Sequence, residues 1–232
     1  MPPRCRKIQA VVFDLDDTLF LERYYVKSGF EAVATYLRNM IGEKKPFERW
    51  MWQRFLAGKS EKMFDSLNEH FSLNLSKDQI AKLIAVYRQH NPKIKPCRGV
   101  KNLLTNLKQR GKKLGLLSDG FLPAQQLKLR AINLERFFDA ILFTEEISRS
   151  AWKPSPIGFE KIRAELNVPH RACAYVADNP AKDFLAPNKL GWLTIQWRRR
   201  GQIHADNPPP KGGKPKQIVH TSKELLKILL AN

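Results

Sequence analysis

Five short, largely apolar runs do most to limit what this chain can fold into: Ile8 to Phe13, Leu114 to Leu117, Ala140 to Phe143, Ala172 to Ala177 and Leu193 to Trp197. Runs of this kind read as strands buried on both faces, not as one side of a half-solvated sheet. Helical stretches separate the later ones, which gives the βαβ rhythm of a parallel sheet and an α/β fold. Val100 to Arg110 carries Val100, Leu103, Leu104 and Leu107 at helical spacing and stops at Gly111. Ser155-Pro156 opens a helix running to Leu166. Thr221 and Glu224 form a capping box ahead of Leu225, Leu226, Ile228 and Leu229.

The first two strands are not joined by an ordinary connection. Roughly ninety residues separate Phe20 from Leu114, far beyond a usual βα link. That span reads as helices over Arg23 to Met40, Phe47 to Ala57, Lys62 to Phe71 and Ser76 to His90, the last opened by a Ser76/Gln79 capping box. Asn91-Pro92 and Lys95-Pro96 end it. The expectation is a small helical lobe set into an α/β core. Gly201 to Pro215, rich in proline and glycine, reads as an exposed loop.

Composition excludes several classes. With 232 residues and 43% hydrophobic content the chain can bury a sizeable core. It has no run of about 18 apolar residues to span a bilayer, and the acids at Asp14, Asp16 and Asp17 are foreign to a signal peptide. Cys5, Cys97 and Cys173 are odd in number and widely spaced, so neither a disulfide framework nor a metal site follows from them, and a reducing cytoplasm is the expected location. The outlying value is charge: 41 Lys and Arg against 22 Asp and Glu give +19. Such a balance favours anionic partners. The cations are scattered, however, and no zinc-finger, basic-zipper or RNA-recognition motif accompanies them.

Polar residues delivered at the strand ends carry the chemistry. The first strand ends in Asp14-Leu15-Asp16-Asp17-Thr18, the second in Ser118-Asp119-Gly120, and the fourth in Asp178-Asn179-Pro180-Ala181-Lys182-Asp183; Lys153-Pro154 precedes the helix after the third. In an open parallel sheet, ligands bind outside the carboxyl ends of the strands, so these segments should meet in one crevice. Asp14, Asp16 and Asp178 together would repel one another there. A divalent cation relieves that, and oxygen donors of this kind suit Mg²⁺. With an ammonium from Lys153 and a hydroxyl from Ser118, the set makes a receptor for a tetrahedral dianion such as phosphate. One carboxylate can then accept a phosphoryl group while a second, two residues on, moves protons.

These segments resemble the four motifs of the haloacid dehalogenase-like superfamily, specifically its phosphatases. DxDxT matches Asp14, Asp16 and Thr18; the Ser/Thr motif matches Ser118; the lysine motif matches Lys153-Pro154-Ser155-Pro156-Ile157-Gly158-Phe159; the acidic motif matches Asp178 and Asp183. The match runs from Ile8 to about Trp197, in order. The resemblance implies a Rossmann-like core over residues 1–20 and 97–232, with a helical C1 cap over residues 21–96. It implies Asp14 as nucleophile, Asp16 as general acid/base with its main-chain carbonyl on the metal, and Lys153 offsetting the charge of Asp14 and phosphate. Ser118, Asp119, Gly120 and Lys153 would bind phosphate. Asp14, Asp16 and Asp178 would hold Mg²⁺, supported from behind by Thr18, Asn179 and Asp183. Two positions depart from the common pattern: Ala177 stands where glycine is frequent and Asp119 where asparagine is.

The function expected is Mg²⁺-dependent hydrolysis of a small phosphate monoester, of the sugar phosphate or nucleotide class, through an aspartyl-phosphate. A phosphomutase or a dehalogenase of the same fold is the alternative within the family; Asp16 speaks against the dehalogenase. The charge supplies a rival from another class, a nucleic-acid-binding protein or polynucleotide-end phosphatase, whose binding would fall steeply with salt. Taken singly, several residues have blander readings. Asp17 reads as a helix cap, Asp183 as a structural acid, Trp50 and Trp52 with Phe47, Phe55 and Phe64 as packing in the helical lobe, one of which could face substrate, and Arg198 to Arg200 as solvated charge that could instead ring the crevice.

Overall fold

The structure, a computed structural model, describes residues 7–231, so Cys5 lies outside the described residues. All five expected strands form: β1 (Ala10–Phe13), β2 (Lys113–Ser118), β3 (Ala140–Phe143), β4 (Cys173–Ala177) and β5 (Leu193–Trp197). A sixth, β6 (Gln217–Val219), is three residues long on the sheet edge and carries no apolar run to betray it. The order is β3-β2-β1-β4-β5-β6 with every pairing parallel. Phe13 at the end of β1 lies in register with Leu116 of β2 and Val176 of β4. The residues that follow these positions therefore leave the same edge side by side. Strand order reverses between β1 and β4, the place where an open α/β sheet forms its ligand crevice.

Both faces of the sheet are covered, as the largely apolar strands require. Val11 and Phe13 of β1 join Leu114, Leu116, Val176 and Ile195 on one face; Ala10 and Val12 join Leu117, Tyr175, Phe159 and Trp192 on the other. The first face is packed by α5 (Val100–Gln109), α6 (Ala124–Ile132) and α9 (Ser222–Ala231), and the second by α7 (Ile157–Glu165) and α8 (Leu185–Lys189). Gly115 sits where α7 crosses β2, and a Cβ there would lie 2.9 Å from Ile162 Cδ1. Phe159 is fully buried, edge-on to Tyr175 and Trp192 at 4.9 and 5.6 Å. Phe159→Ala is expected to cost about 3–5 kcal/mol, the usual penalty for an aromatic cavity, measured as a fall in the denaturant midpoint without a change in slope.

Between β1 and α5 stand four helices: α1 (Glu22–Ile41), α2 (Phe47–Leu56), α3 (Met63–Phe71) and α4 (Lys77–Gln89). They enclose a separate apolar cluster that includes Phe30, Leu37, Phe47, Met51, Leu67 and Leu83. The capping box of α4 is present, with Gln79 N donating to Ser76 Oγ at 3.2 Å and Ser76 N to Gln79 Oε1 at 2.8 Å. Trp50 stacks on His70 and Trp52 on Phe55, so both tryptophans pack within this lobe.

Candidate active site

The strand-end residues expected to meet do meet. Asp14 leaves β1 with its amide donating to Val176 O at 2.9 Å, which ties the motif to β4. Lys153 Nζ lies 2.5 Å from Asp14 Oδ1, 2.9 Å from Asp183 Oδ1 and 4.0 Å from Asp119 Oδ2, and donates to the Tyr175 hydroxyl at 2.9 Å. The whole ammonium is buried, with the Lys153 side chain 1% exposed. Burial pushes its pKa down, but Asp14, Asp183, Tyr175 and Asp119 outweigh that and hold it charged, well above the ordinary lysine value.

Asp14, Asp178 and Asp183 present carboxylate oxygens within 4.8 Å of one another, all three side chains buried. Asp178 Oδ2 has no hydrogen-bond partner among the described residues. Burial raises the Asp14 carboxyl to about 7, against the pull of Lys153, with Asp183 adding to the rise. Asp178 is pushed well up by burial and then by the charges of Asp183 and Asp14. Three clustered, dehydrated carboxyls, one with an orphaned oxygen, fit a small hard cation. An Asp16 expected to offer the metal its main-chain carbonyl is free to direct its carboxylate elsewhere. The Asp16 carboxylate is turned to Lys128 Nζ and Gln125 Nε2, each at 2.8 Å, while the Asp183 carboxylate joins the cluster.

A pH prediction follows. A carboxyl whose folded-state pKa is raised stabilises the fold when protonated, and that contribution is lost as pH rises through the folded value. Without divalent cation, thermal stability should therefore fall between pH 5 and pH 8, by roughly 1.4 kcal/mol per pH unit for each proton released. Added Mg²⁺ should stabilise the protein at pH 8 more than at pH 5, which differential scanning calorimetry would read directly.

The other expected residues divide into those facing the crevice and those behind it. Ser118 is buried, its hydroxyl donating only at 3.5 Å to Asp119 O. The Asp119 carboxylate points inward, accepting from Thr144 Oγ1 at 2.8 Å and Lys153 N at 3.2 Å, with Lys182 Nζ at 3.5 Å. Gly120 has φ of +134°, and Gln125 packs where its Cβ would be. Asn179 N donates to Asp183 Oδ2 at 3.0 Å, and Asn179 Oδ1 accepts from Ala181 N, so this pair shapes the turn after β4. Thr18 Oγ1 is buried without a partner among the described residues.

Asp17 acts as its bland reading holds. It accepts from Glu22 N, the first residue of α1, at 2.8 Å, and from Ile203 N at 2.6 Å. The second bond corrects the expectation for Gly201 to Pro215. That segment is not merely an exposed loop, because Gln202 donates to Asp17 O, Ala205 O accepts from Gln196, and Ile203 and His204 line the crevice. None of Arg198, Arg199 and Arg200 lines it. Arg198 pairs with Asp206, while Arg199 lies 3.6 Å over Trp197 and donates to Arg98 O.

Sequence reading missed four contributors: Gln125 and Lys128 on α6, Tyr175 inside β4, and Lys182. Only Lys182 carried any local signal, one residue from Asp183 in the acidic motif. The crevice itself is a cavity of about 790 Å³ between the strand ends and the helical lobe, with Asp14, Asp16, Asp178 and Lys182 on its floor.

A family model described as haloacid dehalogenase-like hydrolase matches residues 8–191. A glyceraldehyde 3-phosphate phosphatase of Methanopyrus kandleri is 30% identical over 96% of this chain and 97% of its own length. The pyrophosphatase PpaX of Bacillus thuringiensis is 24% identical over the same shares. Among solved structures, a HAD phosphatase from Thermococcus onnurineus superposes with a TM-score of 0.62 at 21% identity, covering 96% of this chain and 98% of its own. A 2-haloacid dehalogenase from Pseudomonas syringae superposes with a TM-score of 0.65 at 20% identity over the same shares, so phosphatases and dehalogenases share the fold. Sequence match, sheet order and the strand-end aspartates agree: the chain belongs to the haloacid dehalogenase-like hydrolases.

Proposed function

We propose that the protein is a Mg²⁺-dependent phosphatase of small phosphate monoesters, of the sugar phosphate or nucleotide class, and that Asp14 is its nucleophile. The observation that carries this reading is the buried Lys153 ammonium, 2.5 Å from Asp14 Oδ1 and flanked by Asp183, at the edge of a carboxylate cluster. Two relatives that match 96% of the chain are named as a glyceraldehyde 3-phosphate phosphatase and a pyrophosphatase, which supports phosphate-ester chemistry further.

Asp14 and Asp178 would hold the metal, with Asp183 beside them and the Asp16 carbonyl as a further donor. When bound, Mg²⁺ supplies positive charge to the phosphate oxygens and lets the clustered carboxylates ionise together. The residues then divide the work of phosphoryl transfer, which rests on positioning and electrostatic stabilisation. Lys153 keeps Asp14 oriented and offsets the charge that builds as its oxygen approaches phosphorus. The Ser118 hydroxyl and the main chain of Asp119 and Gly120 bind the phosphoryl oxygens. Asp16 protonates the leaving alkoxide and then takes a proton from the water that opens the acyl phosphate. Lys128 and Gln125 position Asp16. Residues 21–96 form the cap that closes over the ester and excludes bulk water.

The test is a phosphate-release screen over sugar phosphates and nucleoside monophosphates with Mg²⁺ supplied. Release that is abolished by chelator is the expected result. Conversion of one phosphate isomer to another without release would favour the mutase, and halide release from a haloacid the dehalogenase. High-affinity binding to duplex DNA that falls steeply with salt, without turnover of any ester, would favour the nucleic-acid reading.

A further inference from the structure

The two sides of the cavity differ in chemistry. Its floor is ionic, whereas the helical lobe supplies an apolar patch of Val26, Phe30, Phe55, Met63, Phe64 and Ile84, alongside the charged Glu22, Lys62, Asp65 and Arg88. Val26 and Phe30 lie four residues apart on one face of α1, so both project toward the same space. The rings of this patch are already arranged edge to face: Phe30 meets Phe55 at 6.3 Å and 77°, and Phe64 meets Tyr87 at 5.9 Å and 62°.

We infer that this patch is a binding subsite for a planar, apolar leaving group, an aryl or nucleobase-bearing alcohol, in preference to a short polyol. The inference rests on the phosphatase reading and narrows it. A polyol seated against Phe30, Phe55 and Phe64 would press its hydroxyls against hydrocarbon. A hydroxyl left there without a partner weakens binding. A planar ring placed there instead adds apolar contact and extends the edge-to-face array of Phe30, Phe55 and Phe64. Size points the same way. About 790 Å³ is the scale of sites that enclose drug-sized ligands, and a triose phosphate would leave most of it to water.

The experiment compares benzyl phosphate with glycerol 3-phosphate, both esters of primary alcohols, so that leaving-group reactivity does not decide the outcome. Benzyl phosphate should show at least about a 10-fold higher kcat/KM, about 1.4 kcal/mol of differential binding. Phe55→Ala, at a partly exposed position and with its fold checked by thermal melting, should erase most of that advantage. It should leave glycerol 3-phosphate turnover within about 2-fold. Equal or reversed preference, or equal loss on both esters in Phe55→Ala, overturns the inference while leaving the phosphatase reading intact. If neither ester is hydrolysed, the phosphatase reading is decided by the wider screen over sugar phosphates and nucleoside monophosphates. The subsite is then decided by calorimetric binding of the two esters to Asp14→Asn, where equal affinity overturns it and about 10-fold tighter benzyl phosphate supports it.

Discussion

Asp14→Asn should lower phosphate release on the order of 10⁴-fold or more while leaving the protein folded. An amide cannot attack phosphorus to give an acyl phosphate, and what remains is the binding and electrostatic assistance of the other groups. The change is nearly isosteric, and it removes a charge that burial already disfavours strongly enough to lift the carboxyl to about 7. Lys153 keeps a partner in Asp183 at 2.9 Å. The melting temperature of Asp14→Asn without divalent cation should therefore be no lower than that of the parent at pH 8. A large loss of stability would mean that Asp14 serves the fold before it serves the reaction.

Lys153→Met should do the reverse and damage both. The methionine occupies similar volume, but Asp14 and Asp183 lose the ammonium they share. Breaking a buried pair by removing one partner costs about 3–5 kcal/mol, because the remaining charge is left without compensation. Part of that penalty should be relieved at low pH, where the carboxyls take up protons, and part by Mg²⁺. Turnover should not return under either condition, since no group then offsets the charge between Asp14 and the phosphate. Urea denaturation at pH 5 and pH 8, with and without Mg²⁺, separates the two effects.

How much could be read from the chain depended on whether a residue's role was written in local pattern. Strands β1 to β5 announced themselves because burial on both faces demands apolar runs, and α4 and α9 because their caps are local. The helix α6 did not, for a physical reason: its inner face carries Gln125 and Lys128, whose partner Asp16 is more than 100 residues away in sequence. A helix whose inner face carries site residues shows no clean apolar stripe. The same holds for Tyr175, which reads as one more residue of a buried strand until Lys153 is placed beside its hydroxyl. Of the aspartates, Asp14, Asp16, Asp178 and Asp183 stood out through motif order, and Asp17 was separable from them because capping is a local habit of such acids. The loop after β5 was misjudged because proline and glycine report backbone chemistry, not docking. The bonds of Gln202 and Ile203 to Asp17 span more than 180 residues. The apolar cavity wall was hidden for a related reason. An amphipathic helix shows which residues are apolar, but not which of them cover the lobe's own core and which face a ligand.

Asp14 as the atom donor to phosphorus is the claim on which the rest depends, and borohydride trapping tests it most directly. The protein would be mixed with Mg²⁺ and a turned-over ester, quenched during steady state, and reduced, which converts an acyl phosphate of aspartate to homoserine. Peptide mass mapping should then place homoserine at position 14 alone, in amounts that rise and fall with substrate. Homoserine at position 16, or none at all while phosphate is being released, would contradict the account.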